Sequence, residues 1–275
     1  MRAAVLGSPV AHSLSPVLHS AAYREMGLTD WSYECFECDE AGLAPFLDGL
    51  EPGEWAGLSL TMPLKRRAME LASEVDALAV EVGGANTLVR RNGGWSARNT
   101  DVEGITTALA EAGAGSPRDA VVLGAGATAA SALAALRELG LPGPVTVLAR
   151  STARAGEVTR AAERLGVPVS VAPLAEIDRY LDVDLVVSTL PSGAADAHAD
   201  VLAASRADLF DVVYAPWPTR AAETVEARGG RVVGGFPMLL HQAVAQVRAM
   251  TGREDVPVTA MRAAGEAELA RRATS

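Results

Sequence analysis

Lysine is almost missing from this 275-residue chain: Lys65 is the only one, and apart from four histidines the other basic side chains are all arginine. Arginine stays protonated at any working pH, whereas a lysine amine can release and regain a proton. One lysine kept against so strong a preference reads as a chemical requirement, with an ordinary surface lysine as the plain alternative. Aromatic residues make up 4% of the chain, so its cores must be built from Ala, Val and Leu. Positive charge is in deficit, with a net charge of −10, which argues against a nucleic-acid partner. No uninterrupted apolar run approaches the length of a membrane span. Met1-Arg2 leads straight into a strand-like segment, Ala3 to Leu6, with no secretory leader, so the expectation is a soluble, cytoplasmic protein. Cysteine is nearly absent too. Cys35 and Cys38 form a lone C-x-x-C with no second pair to complete four ligands, and they read as part of a strand. The histidines, His12, His19, His198 and His241, show no metal-ligand spacing, and no metal is expected.

What is present is ample apolar material, 49% hydrophobic against 21% charged, enough for one large domain or two moderate ones. The order of elements is α/β. A strand at 2–6 is followed by a loop to Ser15, which the pattern places at a helix N-cap with Pro16 in the first helical position. Strands at 32–38 and 55–60 flank a helix near 40–48, and Thr61 and Pro63 open a helix carrying Lys65 in its first turn. Residues 85–90 and 95–101 form a hairpin about Gly93-Gly94. Asp101 stands where the next helix begins, and read alone it is an N-cap.

After the breaker Gly113-Ala-Gly-Ser-Pro117 the character changes. A short apolar strand, 119–123, runs into Gly124-Ala-Gly-Ala-Thr-Ala129, a long Ala/Leu helix, and a second strand ending at Ala149-Arg150. This is a G-x-G-x-x-A fingerprint in its strand–turn–helix–strand setting. The first glycine makes the tight turn, the second lets backbone approach a pyrophosphate, and Ala129 allows close helix–strand packing. At the end of the second strand an NAD enzyme usually carries Asp or Glu for the ribose 2′-hydroxyl. Here Ala149, Arg150, Ser151 and Arg154 offer positive charge and donors instead, which suits the 2′-phosphate of NADP. Further strands are expected at 167–171, 184–188 and 209–213. Thr189 and Tyr214 lie just beyond strand ends, where open α/β sheets place ligands.

Assembled in order, these pieces resemble the shikimate dehydrogenase family over nearly the whole chain. Its G-x-P-x-x-H-S-x-S-P loop is Gly7 to Pro16, its T-x-P-x-K is Thr61 to Lys65, and its N-T-L and N-T-D are Asn86 to Leu88 and Asn99 to Asp101. Later signatures are Asp211-Val-Val-Tyr214 and Gly235-Phe-Pro-Met-Leu with Gln242. The resemblance implies reversible NADP-linked oxidation of shikimate to 3-dehydroshikimate, on the way to chorismate and the aromatic amino acids. It implies that Ser13 and Ser15 bind the substrate carboxylate, and that Thr61, Asn86 and Gln242 hold ring hydroxyls with Tyr214 nearby. Lys65 would exchange the proton at the C3 oxygen, with Asp101 orienting substrate and amine. Gly124, Ala125, Gly126, Ala127 and Thr128 would follow the pyrophosphate, Gly235 and Met238 would lie by the nicotinamide, and Val212 would meet the cofactor through its backbone.

The implied fold is α/β in two domains. Residues 1–101, with 237–275 packing back, form a substrate domain, and 102–236 form a Rossmann-type, doubly wound NADP domain. Departures from the pattern are Ser59 where Asn is frequent, Val102 for a glycine, Ala127 for the second of two glycines, and Ala149 for Asn. None removes a charged or proton-transferring group. The Ser13-x-Ser15 pair favours shikimate over quinate. Alternatives are a quinate or aminoshikimate dehydrogenase, or a non-catalytic NADP-binding sensor, which needs neither Lys65 nor Asp101. The partner is a small molecule, and the chain is a monomer or homodimer.

Overall fold

The computed structural model describes residues 1–274, apart from the side chain of Arg154. The chain divides into two compact units, Met1–Thr100 together with the residues from Leu240 onward, and Asp101–Leu239.

The first unit contains β1 (Arg2–Gly7), α1 (Ser15–Glu25), β2 (Ser32–Glu37), α2 (Glu40–Asp48), β3 (Trp55–Leu60), α3 (Lys65–Leu71), β4 (Glu74–Val75), α4 (Ala77–Val82), β5 (Thr87–Arg91) and β6 (Gly94–Arg98). They make a six-stranded mixed sheet in the order β2-β1-β3-β5-β6-β4. β1 lies parallel to β2 and β3, while β5 runs antiparallel to β3 and β6. β1 and β3 are buried almost throughout, as suits central strands covered on both faces, whereas the edge strand β2 buries only Tyr33 and leaves its other side chains half-buried or exposed. Asp39 and Asp76 cap α2 and α4, accepting from Gly42 N at 2.8 Å and Ala79 N at 2.6 Å, each worth about 1 kcal/mol. Leu6, Leu43, Leu58, Leu64 and Leu88 fill the core. The scarce aromatics are concentrated here, with Phe36, Phe46 and Trp55 in mutual ring contact.

The hairpin turn is Asn92-Gly93, not Gly93-Gly94. Both loop residues have positive φ, 50° and 80°, as a tight two-residue turn requires, and Arg91 pairs with Gly94. Gly94 is already the first residue of β6.

The second unit begins with α5 (Asp101–Glu111), so Asp101 lies inside the helix rather than capping it, where its carboxylate still complements the N-terminal dipole. Then come β7 (Ala120–Leu123), α6 (Ala127–Glu138), β8 (Val145–Ala149), α7 (Gly156–Leu165), β9 (Val169–Pro173), β10 (Leu185–Ser188), α8 (Ala199–Ala204), β11 (Asp208–Asp211), α9 (Arg220–Ala227) and β12 (Val232–Val233). All six strands are parallel, in the order β12-β11-β10-β7-β8-β9. The direction of winding reverses between β7 and β10, the arrangement of a doubly wound dinucleotide-binding sheet. β9 is shifted by two residues from its expected place, and the short β12 has no sequence signal beyond two valines.

α10 (Gly235–Thr251) begins in the second unit and, from Leu240, belongs to the first, as does α11 (Val258–Ala273). Among the described residues no helix is long and apolar enough to cross a membrane. Nor does any group of three or more His, Cys, Asp or Glu residues gather there as a metal site. Cys35 is exposed and Cys38 buried, both as free thiols, and burial raises the pKa of each.

Candidate active site

In the first unit three segments are tied together at the carboxyl ends of β1 and β3. Thr61 N donates to Leu6 O at 2.9 Å and Ser8 N to Met62 O at 3.0 Å, so the loop leaving β1 lies on the Thr61–Lys65 turn. A Cβ at residue 7 would fall 2.2 Å from the Thr61 methyl, which is why glycine stands there. Leu64 N closes that turn onto Thr61 O at 2.9 Å and delivers Lys65 as the first residue of α3. The Lys65 carbonyl accepts from Ala85 N at 2.8 Å, while Leu60 N reaches Asn86 O at 2.7 Å. Lys65, Thr61 and Asn86 are thus fixed by backbone bonds to one another's immediate neighbours.

The serine pair divides its work differently from the expectation. α1 starts at Ser15, with Pro16 second, and it is the Ser13 hydroxyl that accepts the Ser15 N–H at 3.2 Å. The N-cap position itself is Leu14, which offers no side-chain cap. Ser15 itself is buried. Arg272 of α11 donates to the carbonyls of His12 at 2.5 Å and Ser13 at 3.4 Å, anchoring this loop.

Asn86, only 2% exposed, is the hub of the next layer. Its Oδ1 accepts from Thr100 N at 2.8 Å and Thr87 Oγ1 at 2.9 Å, and its Nδ2 donates to Thr100 Oγ1 at 2.9 Å and Gln242 Oε1 at 3.3 Å. These bonds fix which way each amide faces, and they hold Thr100, the residue directly before Asp101. Gln246, one turn beyond Gln242 on α10, joins the same buried cluster. Sequence reasoning missed it, although the Gln-x-x-x-Gln spacing puts both amides on one helix face.

In the second unit the glycine fingerprint is built as the sequence implies. Gly124 leaves β7 with φ of +106°, and a Cβ there would sit 2.5 Å from Thr189 Oγ1, so the turn runs hard against the end of β10. Thr189 is held by its own N–H and hydroxyl, both on Leu123 O at 2.8 Å. Gly126 occupies the N-cap of α6, offers no side-chain cap, and has open space where a Cβ would project. Gly126 and Ala127 are exposed, Ala125 and Thr128 half-buried, and Ala129 is buried against the sheet. Uncapped first-turn N–H groups facing open space at the point where strand order reverses fit the pyrophosphate of a dinucleotide. Ala149 is buried at the end of β8, whereas Arg150 and Ser151 are exposed beyond it. Arg154 begins no contact that can be stated, because its side chain lies outside the described residues.

Beyond the carboxyl end of β11 in the same unit, Gly235 N donates to Val213 O at 2.9 Å. Val212 is half-buried and Met238 buried. The segment from Val212 to Thr219, which carries Tyr214, is tied down by Asp211. Its carboxylate is fully buried, accepts from Thr219 Oγ1 at 3.1 Å and Val213 N at 3.3 Å, and is pushed up in pKa by that burial. Thr219 in turn caps α9. Asp101, 5% exposed, is at the start of α5.

Two family descriptions match the chain: the shikimate dehydrogenase substrate binding domain over residues 5–88, and the shikimate 5′-dehydrogenase C-terminal domain over 235–264. A protein of Synechococcus sp. (strain JA-3-3Ab) named shikimate dehydrogenase (NADP(+)) is 35% identical, with 97% of this chain and 93% of that relative covered. Among solved structures, shikimate dehydrogenase of Mycobacterium tuberculosis is 44% identical, covers 97% of this chain and 99% of its own, and superposes with a TM-score of 0.88. Quinate dehydrogenase of Corynebacterium glutamicum in complex with NAD is 26% identical, covers 97% of this chain and 99% of its own, and has a TM-score of 0.86. The serine loop, the lysine turn, the doubly wound sheet and relatives at this level of identity lead to one conclusion: the chain belongs to the shikimate dehydrogenase family.

Proposed function

We propose that the protein catalyses the reversible NADP-dependent oxidation of shikimate to 3-dehydroshikimate, with the first unit as its substrate domain and the second as its NADP domain. The observation that carries this reading is the anchoring of the chain's only lysine, through its own carbonyl and the Thr61 turn, beside the buried Asn86–Gln242 cluster. A sensor of NADP needs no such arrangement.

Oxidation at C3 removes a hydride from carbon and a proton from the C3 hydroxyl. NADP, when bound, accepts the hydride. Lys65 Nζ takes the hydroxyl proton as a free amine and returns it as an ammonium in the reverse direction. Asp101 orients that hydroxyl and the amine. Ser13 and Ser15 donate to the substrate carboxylate, while Thr61, Asn86, Gln242 and Tyr214 hold and orient the ring hydroxyls. Gly124 to Thr128 receive the pyrophosphate, Arg150, Ser151 and Arg154 the 2′-phosphate, Ala149 and Thr189 flank the adenosine side and the turn, and Val212, Gly235 and Met238 bound the nicotinamide.

A second reading is favoured by the likeness to the C. glutamicum chain, which is named a quinate dehydrogenase and is in complex with NAD. Residue chemistry separates the two. The Ser13-x-Ser15 pair leaves the carboxylate two small hydroxyls, and no acidic residue stands at 149–151 to receive a free ribose 2′-hydroxyl. Steady-state rates for shikimate and quinate, each with NADP and NAD, test the assignment. Turnover confined to shikimate with NADP is expected. Preference for quinate or NAD would overturn the specificity, and NADPH binding without turnover on either substrate would overturn the enzyme.

A further inference from the structure

Gln246 is 1% exposed and uses every hydrogen-bonding position of its amide. Its Nε2 donates to Asn86 O at 3.2 Å and Thr87 Oγ1 at 3.0 Å. Its Oε1 accepts from Ser59 Oγ at 2.7 Å and meets His19 Nε2 at 3.3 Å. Two donors and two acceptors are what a glutamine amide has, so it cannot flip without breaking all four. Ser59 Oγ in turn accepts from Tyr33 OH at 2.6 Å. On the other side, Thr87 Oγ1 donates to Asn86 Oδ1, and Asn86 Nδ2 to Gln242 Oε1. One continuous chain therefore runs Tyr33–Ser59–Gln246–Thr87–Asn86–Gln242.

Every member of this chain is buried. Its polarity is fixed as well. His19 is fully buried and its pKa is lowered to about 3, so it is neutral, with Nε2–H pointing at Gln246 and Nδ1 accepting from Tyr23 OH at 3.4 Å. Stacking of His19 on Tyr33 at 4.0 Å between ring centroids keeps both rings in place. Ser59 is well suited to this role: its single oxygen donates to Gln246 and accepts from Tyr33 together, so the link passes through one atom.

We propose that Gln246 is a positioning residue for the substrate, setting through this one buried chain the amides of Asn86 and Gln242 at the ring hydroxyls. The proposal rests on the reaction assigned above. Gln246 touches no reacting atom in this account; it acts through Asn86 and Gln242. Ser59, backed by Tyr33, fixes the amide carbonyl of Gln246, and Thr87 and Asn86 are the arm that reaches Gln242.

The test combines calorimetric titration of shikimate with steady-state kinetics for wild type, Gln246→Leu, Tyr33→Phe and the double variant. Far-UV circular dichroism and urea midpoints identify the temperature at which each is folded. Tyr33→Phe removes a single oxygen and guards against loss of folding in Gln246→Leu. Each single variant is expected to raise the Kd and KM for shikimate about tenfold while leaving the KM for NADP unchanged. The double variant is expected to fall short of the product of the two effects, because both cut one chain. Folded variants with shikimate affinity equal to wild type, or with both KM values rising together, would overturn the positioning role. Absence of shikimate binding and turnover in wild type would instead overturn the reaction, and the proposal with it.

Discussion

A Cβ at residue 235 would lie 1.9 Å from the carbonyl oxygen of Val212 and 2.4 Å from its carbonyl carbon, so the start of α10 and the exit from β11 touch backbone to backbone. No rotamer change relieves such a contact, because the obstacle is main chain. Gly235→Ala must push the two segments apart, at a cost of about 1–3 kcal/mol by analogy with overpacked cores. Since Val212, Gly235 and Met238 are assigned to the nicotinamide end, the shift should weaken the cofactor more than the fold. The expected result is a lower urea midpoint and an NADPH Kd at least tenfold higher (about 1.4 kcal/mol), read by fluorescence titration. An unchanged Kd would show that this contact does not shape the cofactor site.

Arg150 follows β8 and is exposed, with no acidic residue beside it at 149 or 151. A charge-assisted bond to a phosphate contributes about 1.5–3 kcal/mol. Arg150→Gln should therefore raise the KM for NADP roughly 10- to 100-fold and leave any slow reaction with NAD as it was. Parallel initial-rate measurements with the two cofactors check this. Equal effects on both would place Arg150 away from the 2′-phosphate.

His19 gives the protein a defined acid sensitivity. Burial lowers its pKa from 6.5 to about 3, so the native state refuses a proton that the unfolded chain accepts below 6.5. Its contribution is fully present above pH 6.5 and is lost as pH falls towards 3. Over that window the loss approaches about 1.4 kcal/mol per pH unit. Urea unfolding at pH 7, 5.5 and 4.5 should show His19→Gln less stable than wild type at pH 7 but with a shallower decline on acidification. Parallel slopes would mean that His19 is not the group responsible.

The elements governed by local chemistry were legible in the sequence. Short apolar runs marked β7 and β10, and the strand–glycine–helix order marked the nucleotide turn at Gly124. Errors of one residue arose where two neighbours compete for one role. Gly94 is as permissive as Gly93, but Asn92 tolerates positive φ and takes the turn. Ser15 looked like a cap, yet Leu14 holds that position and Ser13 accepts the first helical N–H. The buried chain through Gln246 was the part least available to sequence reasoning. The Gln242–Gln246 spacing is a local signal, but the bonds from Ser59 to Gln246 and from Tyr33 to Ser59 span 187 and 26 positions, and no pattern along the chain encodes them.

The central claim is that Lys65 moves the proton. Lys65→Met removes the amine, while Lys65→Arg keeps a positive charge that does not titrate in the working range. Measured under saturating shikimate and NADP, kcat should fall roughly 100- to 10,000-fold in both variants, with the Kd for NADPH unchanged. A Lys65→Arg protein turning over at close to the wild-type rate would contradict the account, because a fixed charge would then suffice and no proton would pass through residue 65.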